Sequence, residues 1–257
     1  MRLTLELIFE GDFTLPIHYG YYIQSLLYNS ISPELAGILH EKGFPVGKRK
    51  FKLFTFSRIF GKYRVHRAGL DPRRGNKITF SSPLRIVVSS SMKEFIEEVG
   101  EELIRRESVE IYSQRVALNS VEVSDFPINC DMLKIKMLSP VTVYSTLSTS
   151  DGKKKTYYYS PFESDFSRLI SENARKKFRA FYGKEPEGKI HLAPLNVNMS
   201  NQSIISYKGT VIKGWMGIYE LSGDIELMKL VYDAGLGGKN PQGFGCFEVL
   251  GRKDIKE

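Results

Sequence analysis

The chain has little sulfur, little histidine and no long apolar run, and each shortage closes a route. Its two cysteines in 257 residues, Cys130 and Cys246, stand far apart with no histidine or second cysteine beside them. Neither a zinc site nor a disulfide framework is indicated, and both read as core thiols. The four histidines, His18, His40, His66 and His191, are scattered. No two histidines stand at helical spacing, and no metal centre and no cofactor is expected. Nowhere do about 18 apolar residues follow one another, and the opening MRLTLELIFEGDF has no positive region leading into a long apolar core. No long amphipathic helix gathers the basic residues on one face, so a membrane is a poor partner and the expected location is the cytoplasm. Acid is short in one place above all. Residues 48–74 hold ten Lys or Arg against the single acid Asp71.

What is present is an ordinary globular composition, with 42% hydrophobic and 26% charged residues. The length suits two domains of roughly 100 to 150 residues each. The net charge of +8 is unevenly placed, and a polyanion is the simplest partner for such a patch, because each neutralised phosphate releases condensed counterions. A solvated basic face is the plainer alternative.

Residues 2–9 alternate apolar and polar at period two and read as a strand. In 17–31, Ile23, Leu26, Leu27 and Ile31 fall on one helical face. Ser32-Pro33 then reads as an N-cap followed by proline at the first helical position, opening a second short helix over 34–41. Strands are expected at 53–59 and 77–89, separated by a basic loop or hairpin at 61–75. A helix striped by Met92, Phe95, Ile96, Val99, Leu103 and Ile104 follows, then a strand at 109–123. The order β-α-β-β-α-β predicts a ferredoxin-like (RRM-like) α+β unit with an antiparallel sheet. After a turn-rich break the same order recurs: a strand at 132–143, an inserted strand at 156–160, a helix striped by Phe166, Leu169, Ile170, Ala174, Phe178 and Phe181, strands at 190–197 and 204–216, a helix at 224–233, and a last strand at 244–250. Two tandem ferredoxin-like domains are expected, 1–124 and 125–257.

Between the last helix and the last strand lies GLGGKNPQGFG, with five glycines in eleven residues. Such density implies positive φ or close backbone approach. A P-loop needs Ser or Thr after its lysine, but Lys239 is followed by Asn240 and Pro241. A dinucleotide fingerprint needs the loop after a strand and before a helix. What remains is a backbone surface offering N–H groups and Lys239 to phosphates, or an irregular connection.

The spacing Gly235, Leu236, Gly237, then Gly243, Phe244, Gly245 resembles the glycine loop of the repeat-associated RNA-binding superfamily of CRISPR systems. YYIQSLLYNSI at 21–31, LAGILHE at 35–41 and KLFTFS at 52–57 resemble the nuclease branch of it, the endoribonucleases that cut CRISPR precursor transcripts within each repeat. The resemblance covers both ends of the chain and its two-domain plan. It implies a tyrosine, a histidine and a lysine at the active site, and the matching positions are Tyr28, His40 and Lys52. Along one straight helix Tyr28 and His40 would lie about 18 Å apart, so the break at Ser32-Pro33 has to fold the second helix back.

RNA can be cut without metal if its own 2′-OH is the nucleophile, and that is the expected route here. The 2′-OH attacks the adjacent phosphate, leaving a 2′,3′-cyclic phosphate and a 5′-OH. Histidine alone of the three exchanges a proton near neutrality, so His40 is assigned as general acid. Lys52 would stabilise charge on the phosphorane, and Tyr28 would orient the 2′-OH. The expected RNA contacts are the loop residues Gly235, Gly237, Gly238, Lys239, Asn240, Gly243, Phe244 and Gly245, with Lys48, Arg49, Lys50, Arg58, Arg64 and Arg67; Lys62, Arg73 and Arg74 belong to the same stretch. These give affinity rather than sequence choice. Lys153, Lys154 and Lys155, and the cluster Arg175, Lys176, Lys177 and Arg179, extend this track or form a solvated face. The rival reading is a non-catalytic repeat-binding subunit of a CRISPR effector complex. The expected partner is CRISPR repeat RNA; association with an effector complex and formation of a homodimer stay open.

Overall fold

A computed structural model describes residues 1–47, 49–67, 75–148 and 152–251. Lys48, Arg73 and Arg74 of the expected RNA track lie outside the described residues. In the first half, β1 (Arg2–Ile8) and β2 (Phe13–Pro16) precede helices α1 (Gly20–Tyr28) and α2 (Pro33–Gly37) and a π-helical turn, Ile38–Lys42. A hairpin of β3 (Phe44–Val46) and β4 (Arg49–Phe51) leads into β5 (Phe54–Phe56), followed by β6 (Tyr63–His66), β7 (Lys77–Phe80), β8 (Leu84–Ser90), α3 (Lys93–Arg106), β9 (Ser108–Ile111) and β10 (Gln114–Ser124). The main sheet runs β5-β8-β1-β10-β9, and all its pairings are antiparallel. Its first four strands have the ferredoxin-like order, with β9 added at the edge. The period-two pattern of β1 turns Leu3, Leu5 and Leu7 inward, where they meet Ile23, Leu26 and Leu27 of α1 and Phe95, Ile96, Val99 and Leu103 of α3.

The second half repeats the plan with β11 (Met132–Met137), the hairpin β12 (Tyr144–Ser148) and β13 (Lys154–Tyr158), α4 (Ser164–Tyr182), β14 (Ile190–Asn196), the hairpin β15 (Gln202–Tyr207) and β16 (Thr210–Trp215), β17 (Ile218–Gly223), α5 (Ile225–Ala234) and β18 (Phe247–Gly251). Its sheet order is β14-β17-β11-β18, again antiparallel. Phe166, Ile170, Ala174 and Phe178 of α4 bury their apolar stripe against it, with Leu169 and Phe181 partly covered. The Asp224 carboxylate caps α5 by accepting from Leu227 N–H at 2.9 Å. The protein is α+β, two tandem ferredoxin-like units with two hairpins inserted in the second.

Four expected strands are revised. The run 204–216 is the hairpin β15–β16, turning at Lys208 and Gly209, both in the left-handed region (φ 47° and 76°). The third strand of that sheet is instead β17. Residues 109–123 split at Tyr112 and Ser113, again left-handed (φ 53° and 57°). Residues 77–89 break at Ser81 to Pro83, where proline lacks a ladder N–H. In 132–143 the strand ends at Met137, ahead of Ser139-Pro140, and Val141 then makes an isolated antiparallel bridge to Trp215. Among the described residues no helix is long and apolar enough to cross a membrane.

Several contacts tie the halves together. Leu53, with φ 53°, leaves the first sheet and buries itself in the second core. The buried Arg2 guanidinium lies 3.4 Å over the Tyr232 ring and donates to the carbonyls of Tyr232 and Phe247. Thr55 Oγ1 donates to Phe244 O at 2.8 Å, and Arg58 donates to Ser203 Oγ at 2.7 Å.

Candidate active site

The break after α1 brings the expected trio together. Ser32 Oγ accepts from Leu35 N–H at 3.2 Å and Pro33 opens α2, so the chain reverses. The π-helical turn then presents His40, closing where Gly43 N–H donates to Ile38 O at 2.7 Å. A side chain at Gly43 would meet Phe51 O at 2.7 Å, so glycine lets the β3–β4 hairpin fold tightly back and return Lys52 to His40. The Tyr28 and His40 rings lie 6.4 Å apart, edge to face. Lys52 Nζ donates to His40 O at 2.9 Å. On its other side Tyr28 packs at 5.8 Å against Phe54, which stacks on Phe95 at 4.6 Å, so the core fixes the phenol.

Burial raises the pKa of the Tyr28 phenol, which therefore stays protonated at neutral pH. A protonated phenol can donate or accept a hydrogen bond, which suits it to hold a hydroxyl in place. Lys52 is shifted down, first by burial and then by Lys50, so it releases its proton more readily than an ordinary lysine.

All three residues line a cleft of about 690 Å³ between the two halves. Tyr21, Gln24, Ser25 and Tyr28 form one wall, with Phe51 and Lys52 beside them. Opposite lie Asn173 and Lys176 of α4, Tyr144, Lys208 and residues 238–242 of the glycine loop. Among the described residues, Arg49, Lys50, Lys52, Lys176, Lys208 and Lys239 present their charges to it against one carboxylate, Glu172, which is paired with Arg168. The field inside attracts a polyanion. Of the expected basic contacts, Arg49 and Lys50 border the cleft; Arg58, Arg64 and Arg67 do not line it. Lys153, Lys154 and Lys155 are exposed on the β12–β13 hairpin, away from the cleft lining.

The glycine loop is largely built into the body. Gly235, Gly237, Phe244 and Gly245 are buried, and only Gly238, Lys239 and Asn240, with Pro241 and Gln242, line the cleft. Several of its amides serve the protein: Leu236, Gly238 and Gly245 N–H donate to the carbonyls of Gly245, Thr142 and Pro140. Asn240 Nδ2 donates to Leu236 O and Phe244 O, turning its amide inward. A side chain at Gly243 would strike the Phe56 ring at 2.6 Å, so that glycine lets the loop seat against β5. Lys239 stands 5.0 Å over the Tyr144 ring. Gln24 Nε2 donates to Pro241 O at 2.6 Å, joining the loop to the helix that carries Tyr28.

The basic cluster of α4 divides. Arg175 and Arg179 pair with Glu185, Lys176 faces the cleft, and Lys177 is buried, donating to Gly235 O at 2.5 Å and Gly237 O at 2.9 Å. Burial pushes Lys177 from the ordinary 10.5 down to about 7. A neutral amine has two N–H groups, which match the two carbonyls. The folded state therefore holds fewer protons at this site than the unfolded chain between about pH 7 and 10.5, and stability there rises with pH. Relative to Lys177→Met, the wild type should gain on the order of 1 kcal/mol per pH unit between pH 7 and 9 in denaturant unfolding. Parallel pH curves would contradict this.

Sequence reasoning missed Tyr21, Gln24 and Ser25, although with Tyr28 they form a polar i, i+3, i+4, i+7 stripe opposite the apolar one. Tyr144 and Lys208 carried no such signal.

Residues 121–249 match the family model described as CRISPR associated protein Cas6, C-terminal, and residues 14–122 match the one described as CRISPR-associated protein Cas6, N-terminal. The chain belongs to the Cas6 family. It is 29% identical over 263 residues to the CRISPR-associated endoribonuclease Cas6 of Pyrococcus furiosus, covering 100% of this chain and 93% of that protein. It is 28% identical over 265 residues to the CRISPR-associated endoribonuclease Cas6 1 of Methanocaldococcus jannaschii, covering 100% of this chain and 95% of that protein. A solved structure of a Cas6-related gene product from Pyrococcus furiosus superposes with a TM-score of 0.81 at 22% identity, over 98% of this chain and 99% of that one, and shows the shared fold.

Proposed function

We propose that this Cas6-family protein is an endoribonuclease that cuts CRISPR repeat RNA in precursor transcripts to give guide RNAs, using no metal. The observation that carries the reading is the convergence of Tyr28, His40 and Lys52 at a basic cleft whose far wall includes residues 238–242 of the glycine loop. In this reading residues 1–124 supply the chemistry, and residues 125–257 supply the loop and α4 that hold the RNA against it. Arg49, Lys50, Lys176 and Lys239 meet phosphates.

The 2′-OH, oriented by the protonated Tyr28, attacks the adjacent phosphorus and releases its proton to solvent. As the 2′-O–P bond forms, the bond to the 5′-oxygen breaks and His40 gives that oxygen a proton. Lys52 offsets the charge that builds on the phosphorane oxygens, a kind of contribution worth about 10²- to 10³-fold in rate. Its bond to the His40 carbonyl ties the cation to the acid's own turn.

The test is incubation with a CRISPR repeat RNA in EDTA. One defined cut is expected, with a 2′,3′-cyclic phosphate on the upstream fragment and a 5′-OH on the downstream one. Binding without cutting would point to a non-catalytic repeat-binding subunit, and a cut that needs added magnesium would overturn the metal-free mechanism.

A further inference from the structure

A chain of tyrosines leads away from the cleft. Tyr112, at the tip of the β9–β10 turn, has its ring centre 4.7 Å from that of Tyr22; Tyr22 lies 5.5 Å from Tyr21, and Tyr21 lies 6.3 Å from Tyr207 at the end of β15. All three pairs are edge to face. Tyr207 is buried and its hydroxyl is bonded to the Gln24 amide oxygen, so the inner end is anchored. Tyr21 and Tyr112 are open, at 41% and 44% exposure. The Lys208 ammonium stands 4.5 Å over the Tyr21 ring, and Tyr21 and Lys208 both line the cleft. Tyr112 and Lys208 are non-glycine residues held in the left-handed region, at φ 53° and 47°. Such strain persists where the surrounding structure imposes it, and it clusters at binding sites.

We infer that Tyr21, Tyr22 and Tyr112 form a stacking site for unpaired bases of RNA running out of the cleft. The inference rests on RNA being the ligand of that cleft. Each tyrosine offers a rigid aromatic surface, every base has a π-face, and stacking needs no particular sequence. The rings are pre-ordered by their mutual contacts, so little side-chain freedom is lost on binding. Burial first, and then its tyrosine neighbours, raise the Tyr22 pKa, so no phenolate forms there to repel phosphate. The patch combines planar rings with a lysine and continues into a wall carrying Lys50, Lys52, Lys176 and Lys239. A polyanion with planar rings fits both ends. The site adds length to the RNA grip: the cleft holds backbone around the cut, and the tyrosines hold bases to one side of it.

The experiment measures binding of a fluorescent single-stranded RNA containing the repeat to wild type, Tyr112→Ala, Tyr21→Ala and Tyr112→Phe, across a salt series. Each alanine variant should bind about ten-fold more weakly, and Tyr112→Phe should bind like wild type. The slope of log affinity against log salt should be unchanged in all of them, because stacking releases no counterions. Wild-type affinity in both alanine variants, or an equal loss in Tyr112→Phe, would overturn the stacking site. RNA that is bound and stacked but never cut removes the nuclease reading and leaves this one standing. RNA that is cut, with affinity indifferent to the tyrosines, does the reverse, and a wild type that binds no RNA removes both.

Discussion

His40→Ala is expected to slow single-turnover cleavage of repeat RNA by about 10²- to 10⁴-fold, the range for losing a positioned general acid, while RNA affinity stays within a few-fold of wild type. The two effects separate because of where His40 sits. It occupies the exposed π-helical turn, and the bond from Lys52 goes to its backbone carbonyl, so truncating the imidazole leaves the lysine's anchor in place. The cations that border the cleft, from Arg49 and Lys50 to Lys239, are untouched. Neither neighbour can replace the lost acid well. Tyr28 is held protonated with a raised pKa and makes a weak acid, and Lys52, although it gives up a proton more readily than an ordinary lysine, is tied to the carbonyl of residue 40 and would lose its charge on the phosphorane by acting as the acid. Single-turnover rates with enzyme in excess, together with a separate binding isotherm, provide the measurement. Cleavage at the wild-type rate would remove His40 from the chemistry, and a matching loss of affinity would make it a binding residue.

The resemblance picked out Tyr28, His40 and Lys52, and local rules in the sequence explain why the first two come together. The Ser32-Pro33 cap and break predicts that the chain reverses after α1, and the reversal brings Tyr28 and His40 to edge-to-face distance. The ferredoxin-like order follows from alternation in β1 and from the apolar stripes of α1, α3 and α4. The hairpins were harder. Tyr112-Ser113 turns without glycine, asparagine or aspartate, so nothing marked a break in 109–123, and Lys208-Gly209 sits inside an otherwise continuous strand pattern. Reading 204–216 as one strand hid β17, which lies between β14 and β11 in the sheet.

The glycine loop shows a different limit. Its composition announces close approach but not to what. In the fold the approach is largely to Phe56, Thr142 and the loop's own carbonyls, and only residues 238–242 remain at the cleft. Lys177 was indistinguishable from Lys176 in a run of like charges, because one step along a helix turns a side chain by about 100°. That step separates a cleft lysine from one buried under the loop. Leu53, crossing into the second core through a left-handed backbone, left no trace in any periodic pattern.

The second large effect belongs to the RNA. Replacing the nucleotide on the 5′ side of the cut by its 2′-deoxy form removes the nucleophile, and no residue of the proposed trio can supply another. Tyr28 stays protonated and Lys52 is assigned to charge, so water would have to attack without an activating base. In the proposed mode of binding, by contrast, phosphates and stacked bases supply most of the affinity, and neither needs that hydroxyl. The measurement is cleavage and binding of two repeat RNAs, identical except for that one oxygen, by the same preparation of wild-type protein. Cleavage abolished with affinity nearly unchanged is the expected result. Equal cleavage of both RNAs would contradict attack by the RNA's own 2′-OH at the Tyr28–His40–Lys52 cluster.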